Sequence, residues 1–429
     1  MRSRRGWFDA AALIAVFSAG CGTAIEPPEA RLATFRSGLP AVVDGAQDPA
    51  LTAMRAAGDY LVARQSADGA WRSNVYGPFK EGDALTAIAV LALIELAGGD
   101  AARYEPSIER ATGYLAALTQ DGAIRPPQHG LAYPVYTAAG AVIALTHSGS
   151  EPHLKARDVW LAYLRERQLA EHLGWSPDDA AYGGWGYAAD LPRKPGDDLP
   201  LGTLAEPNLS ATTFALAALR AAGMAADDPA IRKALRYVSR CQNFPAVSSN
   251  VGPFDDGGFH FMLGDPVRNK AGAVGVDADG RTRFASYGSA TADGVRAFAL
   301  AGVPADDPRA MAAWQWMRDH FRADAHPGEY AADRAGARES VYFYYVQALS
   351  AALIRSNGLA EPVRREWAEQ LTRALVARQR TDGSWRNPSV DVREDDPLVA
   401  SSLAVAALAR CGKILECRTT TVAGPPSAR

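Results

Sequence analysis

One stretch of the chain occurs twice, and this repetition limits the folds open to it. Residues 60–72 read YLVARQSADGAWR, and residues 374–386, near the other end of the chain, read ALVARQRTDGSWR. The shared residues predict the end of a helix, a tight Asp-Gly turn and a tryptophan that anchors the turn by burial. Such a unit cannot bury its apolar face alone, so the repeat predicts stacking of similar units against one another.

Weaker copies of the same helix end lie between these two. Tyr163-Leu164 is followed by Gln168 and Tyr237-Val238 by Gln242, and glycine-aromatic turns follow both. Amphipathic segments alternate with almost wholly apolar ones such as residues 84–96, ALTAIAVLALIEL. An apolar helix needs protein on most sides, so we predict six pairs of helices closed into a ring.

Composition supports this interpretation. The chain is 48% hydrophobic and 22% charged, and it is rich in alanine, which favours an all-α protein with a large core. The net charge of −3, without a basic block, argues against nucleic acid as a partner.

The repeat resembles a known motif. The spacing of Gln, Gly and Trp is similar to the QW motif of the squalene cyclase and prenyltransferase repeat family, which includes terpenoid cyclases and protein prenyltransferases. The resemblance implies an all-α (α/α)6 toroid of six helical hairpins, with long loops on one face, over residues 48–412. It also implies that Gln and Trp side chains join neighbouring repeats around a central cavity. The structural repeat residues are Gln65, Gly69, Trp71, Gln379, Gly383 and Trp385.

The catalytic motifs of that family are missing. Aligned on the inner helix that begins near Asp83, the acidic positions of the cyclases fall on Gly82, Ala84 and Leu85. The zinc-binding Asp-x-Cys of the prenyltransferases does not occur, and His260 is better explained as a turn residue than as a metal ligand. We therefore predict neither a metal nor another cofactor.

Two carboxylates remain candidates for an acid. Asp395 and Asp396 precede the last inner helix and form the nearest acidic cluster, although they fall a few residues too early for the cyclase acid and capping of that helix explains them better. Asp83, Glu206 and Asp293 are expected to complement helix dipoles.

Aromatic residues near the starts of inner helices are the candidate ligand-binding residues. An aromatic-lined cavity suits an apolar ligand such as an isoprenoid, or a sugar ring, whereas the alternative is that these residues only fill the ring. The residues are Tyr136, Trp185, Tyr187, Tyr287, Tyr342 and Tyr345.

The N-terminus is typical of an exported protein. Residues 1–21 combine early arginines with a short apolar run, which predicts a signal peptide, and Ser18-Ala19-Gly20-Cys21 resembles a bacterial lipobox. Lipidation of Cys21 would anchor the protein to a periplasmic membrane surface, with residues 22–47 as a flexible tether. Plain secretion and an uncleaved anchor are the alternatives. Residues 413–429 are predicted to be a disordered tail, and Cys241, Cys411 and Cys417 to be thiols without a disulfide framework.

These observations predict an exported toroid that binds a ligand or partner in its cavity. Two alternatives stay open at this stage. One is a cyclase-like isomerase or lyase with Asp395 or Asp396 as its acid. The other is a carbohydrate-active toroid, which would need two carboxylates facing each other across the cavity.

Overall fold

Helices dominate the computed structural model, which describes residues 48–196, 202–245, 252–355 and 358–416. The predicted leader, the tether and Cys21 lie outside these residues, and so does the chain after residue 416. The helices are α1 (Pro49–Val62), α2 (Asp83–Ala117), α3 (Pro134–Ser148), α4 (Glu151–Glu166), α5 (Leu209–Ala221), α6 (Pro229–Arg240), α7 (Gly288–Leu300), α8 (Pro308–His320), α9 (Ala335–Glu339), α10 (Tyr342–Arg355), α11 (Glu361–Arg378) and α12 (Pro397–Glu416).

Two loops each contain a short antiparallel β-hairpin. The strands β1 (Thr119–Gln120) and β2 (Ala123–Ile124) form one, and β3 (Ala273–Val276) and β4 (Thr282–Phe284) form the other. The helix α12 extends past residue 412, where the toroid was predicted to end, because Ile414 still packs in the core.

The long helix α2 contributes to both the inner and the outer layer of helices. It bends at Asp100, whose φ of −153° and ψ of 61° are not helical. The part before the bend is apolar and lies inside, and the part after it lies outside. With this division, and apart from the short α9, the described residues form six inner and six outer helices, which pair as six hairpins.

The inner helices close into a ring. The first part of α2 contacts α3, and the contacts continue through α5, α7 and α10 to α12, which packs back against α2. The outer helix α1 also contacts α11 and α12, so the first and last hairpins lie side by side. The predicted all-α (α/α)6 toroid is confirmed. Its longer connections lie where the inner helices begin.

Glutamine side chains join successive hairpins. Each amide Nε2 donates one hydrogen bond to a carbonyl in its own turn and a second to a carbonyl on the next outer helix, at 2.8–2.9 Å. The second bonds run from Gln65 to Ser107, from Gln168 to Ala230, from Gln242 to Arg309 and from Gln379 to Ala53. The last of these closes the ring.

Tryptophan and glycine complete each turn. The indole Nε1 atoms of Trp71 and Trp385 donate to the carbonyls of Leu61 and Leu375 at 2.7 and 2.8 Å, and both indoles are fully buried. Gly383 has a φ of +85°, and a Cβ there would lie 2.5 Å from the carbonyl oxygen of Ala56. A glycine is therefore required both by the backbone conformation and by the neighbouring helix.

Among the described residues, α12 is apolar and long enough to cross a membrane. However, 78% of its apolar stretch is buried inside the protein, as expected for an inner helix of the ring.

Candidate ligand-binding site

A cavity of about 380 Å³ lies at the centre of the ring. All six inner helices contribute to its wall, starting more than one turn after each helix begins. The volume is within the range of about 300–1,000 Å³ that is common for small-molecule sites. Most of the larger side chains on the wall are apolar: Ile88, Leu91, Ile94, Ile143, Phe214, Leu300 and Leu403.

The polar part of the wall is mostly cationic. Besides Glu95 and Gln347 it contains Arg220, Arg296, Arg355 and Arg410. Arg220 and Arg355 are exposed and lie at or near the C-terminal ends of α5 and α10, so the cavity opens to solvent at this end.

Glu95 is neutralised by two cations. Its carboxylate lies 2.9 Å from Arg410 Nε and 2.6 Å from Lys413 Nζ. Burial alone would raise the pKa of Glu95, but Arg410 and Lys413 outweigh it and hold the pKa at about 2. Glu95 is therefore a permanent carboxylate and not a proton donor.

Arg296 is the deepest of the arginines. It is 5% exposed, and its guanidinium lies 5.1 Å from the centre of the Phe214 ring. Its Nη1 lies 3.8 Å from Asp293 Oδ1, too far for a hydrogen bond, and neither its Nε nor its Nη1 has a hydrogen-bond partner among the described residues. Burial lowers the pKa of Arg296 to about 10, so it remains charged at neutral pH.

A chain of hydroxyl groups lies beneath the cavity, one turn closer to the helix N-termini. Tyr136 donates to Ser210 at 2.8 Å, Ser210 contacts the hydroxyl of Tyr344, and Tyr344 donates to Asp293 Oδ2 at 2.6 Å. Burial raises the pKa of Asp293 to about 6. Asp293 lies inside α7 rather than at its start, so it is not the helix-dipole partner that we expected.

Two of the predicted ligand-binding residues lie in this polar cluster. The rings of Tyr136 and Tyr187 stack with their centroids 5.7 Å apart, and their hydroxyls are 3.3 Å apart. Phe214, which lines the cavity, packs edge-on against Tyr136 at 4.9 Å. The two tyrosines thus support the inner end of the cavity.

The other four predicted residues lie away from the cavity wall. Trp185 is fully buried and donates to the Leu164 carbonyl at 2.8 Å, in the same way as the repeat tryptophans. Tyr287 packs against the rings of His326 and Tyr330. The hydroxyls of Tyr342 and Tyr345 donate to the carbonyls of Ala323 and Arg322, so both rings point to the loop after α8.

The two candidate acids lie at the far end of α12. Asp396 Oδ1 accepts from Leu398 N at 2.9 Å, which caps the helix, and Asp395 accepts from the Tyr76 hydroxyl at 2.5 Å. At 1.5 Å per residue, Asp396 is roughly 20 Å along the helix from Arg410 at the cavity. Burial raises the pKa of Asp396, but the carboxylate faces the helix start and not the cavity.

Metal-binding geometry is not found in the described part of the chain, where no three His, Cys, Asp or Glu side chains lie together suitably. His260 is buried against Phe284, and burial lowers the pKa of its imidazole to about 3. Cys241 and Cys411 are buried free thiols, whereas Cys417 lies outside the described residues.

The arginines of the cavity were missed at the sequence level. Arg220, Arg296 and Arg410 interrupt helices that are otherwise almost entirely apolar, and a charged residue in such a helix must point into a cavity or find a partner. That signal was present, but only the closed ring brings residues so distant in sequence together.

No family model and no curated protein matches the chain. Solved structures do match. Two are variants of the type II terpene cyclase MstE from Scytonema, one in complex with the product merosterolic acid A and one with the substrate geranylgeranyl dihydroxybenzoate. Each is 15% identical with a TM-score of 0.51, and the match covers 86% of this chain and 98% of MstE. Another is the GH76A alpha-1,6-mannanase from Salegentibacter sp. HEL1_6, at 11% identity and a TM-score of 0.51, covering 86% of this chain and all of the mannanase.

At these identities the similarity shows the fold alone. The closed ring of six hairpins, with a cavity at its centre, places the chain among the α/α toroids.

Proposed function

We propose that the protein binds a small molecule with a largely apolar body in the central cavity of the toroid. The observation that carries this proposal is the composition of the cavity wall. All six inner helices contribute to it, and apolar side chains from five of them surround four arginines, a glutamate and a glutamine. Mostly apolar walls with a small number of placed polar groups are typical of small-molecule sites.

The cavity favours an isoprenoid-like ligand over a sugar. Ile88, Leu91 and Leu403 offer aliphatic surface, which suits branched hydrocarbon. A glycosidase would need two opposed carboxylates, yet among the described wall residues Glu95 is the carboxylate, and it is paired with Arg410. MstE, which shares the fold, binds an isoprenoid substrate in one of its structures.

A fluorescent apolar probe tests this proposal. N-phenyl-1-naphthylamine should bind saturably to the wild-type protein and brighten as it leaves water. Leu403→Trp fills the cavity and should weaken binding roughly tenfold, equivalent to about 1.4 kcal/mol. The control Leu51→Trp changes an exposed leucine on α1 and should bind as the wild type does. Absence of saturable binding, or equal binding by Leu403→Trp, would contradict the proposal.

A second candidate function is acid-catalysed isomerisation of such a ligand. The observation that favours it is Asp293, a buried carboxyl group beneath the cavity whose pKa burial raises to about 6. Asp395 and Asp396 are less suitable because they lie at the start of α12. A proton would pass from Asp293 to a double bond, and a neighbouring carbon would lose one, so the product is an isomer carrying one solvent hydrogen.

Solvent deuterium tests the second candidate. Farnesol incubated with the wild type in D2O should gain deuterium, detected by mass spectrometry, and Asp293→Asn should abolish the exchange. Asp395→Asn should leave it unchanged. Exchange that persists in Asp293→Asn, or that is absent in the wild type, would rule out this role for Asp293.

We also propose that the protein is exported and anchored through Cys21. The support is the sequence alone: arginines, a short apolar run and the lipobox-like Ser18-Ala19-Gly20-Cys21. The wild type should incorporate labelled palmitate and sediment with membranes, whereas Cys21→Ser should do neither. A wild-type protein that remains unlabelled would exclude the anchor.

A further inference from the structure

Arginines predominate among the charged side chains at the polar end of the cavity. Four arginines face one glutamate there, and the C-terminal ends of the six inner helices, which lie at this end, each contribute about half a negative charge. The partial negative charge at a helix C-terminus accounts for the presence of Arg220, which lies in the last turn of α5 and donates to the Met224 carbonyl. It does not account for Arg296, which lies a full turn before the end of α7.

Arg296 has hydrogen-bonding capacity that the protein does not use. Its Nε and Nη1 are buried without a partner among the described residues, and a buried group left unsatisfied costs about 1–3 kcal/mol. Asp293 compensates part of the positive charge of Arg296, but its Oδ1 lies 3.8 Å from Arg296 Nη1, too far for a hydrogen bond. Its other oxygen accepts a hydrogen bond from Tyr344. An acceptor that enters the cavity could satisfy the free N–H groups.

Arg355 adds a second available guanidinium. It makes no hydrogen bond to the described residues, whereas Arg410 is paired with Glu95 and donates to the Gln347 carbonyl at 3.3 Å. A guanidinium presents two parallel N–H groups that match the oxygens of a carboxylate or a phosphate.

We infer that the ligand of the central cavity carries an anionic head group, a carboxylate or a phosphate, which binds Arg296 and Arg355 while the apolar body lies against the aliphatic wall. This inference rests on the proposed function and adds the chemical class of the ligand. Arg220 completes the cationic rim at the open end.

Three ligands that differ only in the head group test the inference. Decanol, decanoate and decyl phosphate compete with N-phenyl-1-naphthylamine for the wild-type protein. At least one of the two anions should bind about tenfold more tightly than decanol, and the tighter anion identifies the head group. Arg296→Gln should remove this difference, so that the anions bind no more tightly than decanol does to the same variant. The control Arg373→Gln removes an exposed charge on α11 and should preserve the difference.

A second variant covers the case in which Arg296→Gln does not fold. The double variant Arg220→Gln and Arg355→Gln changes two exposed side chains, and it should reduce the affinity for the anions about fivefold or more relative to the affinity for decanol. If decanol binds as tightly as both anions, the inference is overturned and the proposed function stands. If neither the probe nor any of the three ligands binds, the proposed function itself fails.

Discussion

Replacing Gly383 with alanine tests whether the ring closes as described. Gly383 belongs to the turn of the last hairpin, and it faces α1 of the first hairpin. Its φ is +85°, and an added Cβ would lie 2.5 Å from the carbonyl oxygen of Ala56. The substitution therefore has two costs, one from the backbone conformation and one from contact across the seam between the first and last hairpins.

The two costs can be estimated separately. A left-handed backbone costs an L-residue about 1–2 kcal/mol, and overpacking against a backbone that must shift adds about 1–3 kcal/mol. We expect Gly383→Ala to lower the free energy of unfolding by about 2–5 kcal/mol.

Gly223→Ala is the matched control. Its φ of +87° is almost the same, but no heavy atom lies within 4 Å of an added Cβ. We expect only the backbone cost of about 1–2 kcal/mol. Urea unfolding followed by far-UV circular dichroism measures both variants, provided that the slopes against urea agree. Equal destabilisation of the two would refute the contact between Gly383 and α1, and with it this account of the seam.

Two further predictions concern buried polar groups. Burial raises the pKa of Asp293 from its usual 3.8 to about 6, so its contribution to stability is complete below pH 3.8 and is lost as the pH rises through about 6. Asp293→Asn should lack this loss. Its free energy of unfolding, measured by urea titration, should therefore rise relative to that of the wild type by up to about 3 kcal/mol between pH 4 and 7. A difference between the two proteins that does not change with pH would contradict this. Trp385→Phe removes the indole bond to the Leu375 carbonyl and should cost about 1–3 kcal/mol. Trp367→Phe, whose indole N–H has no hydrogen bond among the described residues, controls for ring size, and an equal loss would argue against the role of the bond.

The ring could be predicted from the sequence because its determinants are local. Gln65 and Trp71 bond to groups within their own turn or on the next outer helix, and the same spacing recurs at Gln379 and Trp385. A short pattern therefore specifies the joint between hairpins, and its repetition specifies the number of joints.

The cavity could not be predicted in the same way because no local pattern defines it. Arg296 and Arg410 belong to different hairpins, and only the diameter and rotation of the closed ring make them neighbours. Asp395 and Asp396 stood out as a cluster in sequence, but their position before Pro397 is explained by the Leu398 amide that Asp396 caps. Arginines inside otherwise apolar helices, and not adjacent acids, were the informative signal.

The seam between the first and last hairpins has a consequence for the order of the chain. Outer helices run opposite to inner ones, so the start of α1 and the end of α12 lie on the same face, and the two helices pack together. Arg365 of α11 bonds to the carbonyls of Ile414 and Leu415, which holds this end in place. A short linker from Glu416 to Asp48 would turn the toroid into a continuous circle, so a circular permutant that begins instead between α5 and α6 should fold to the same ring.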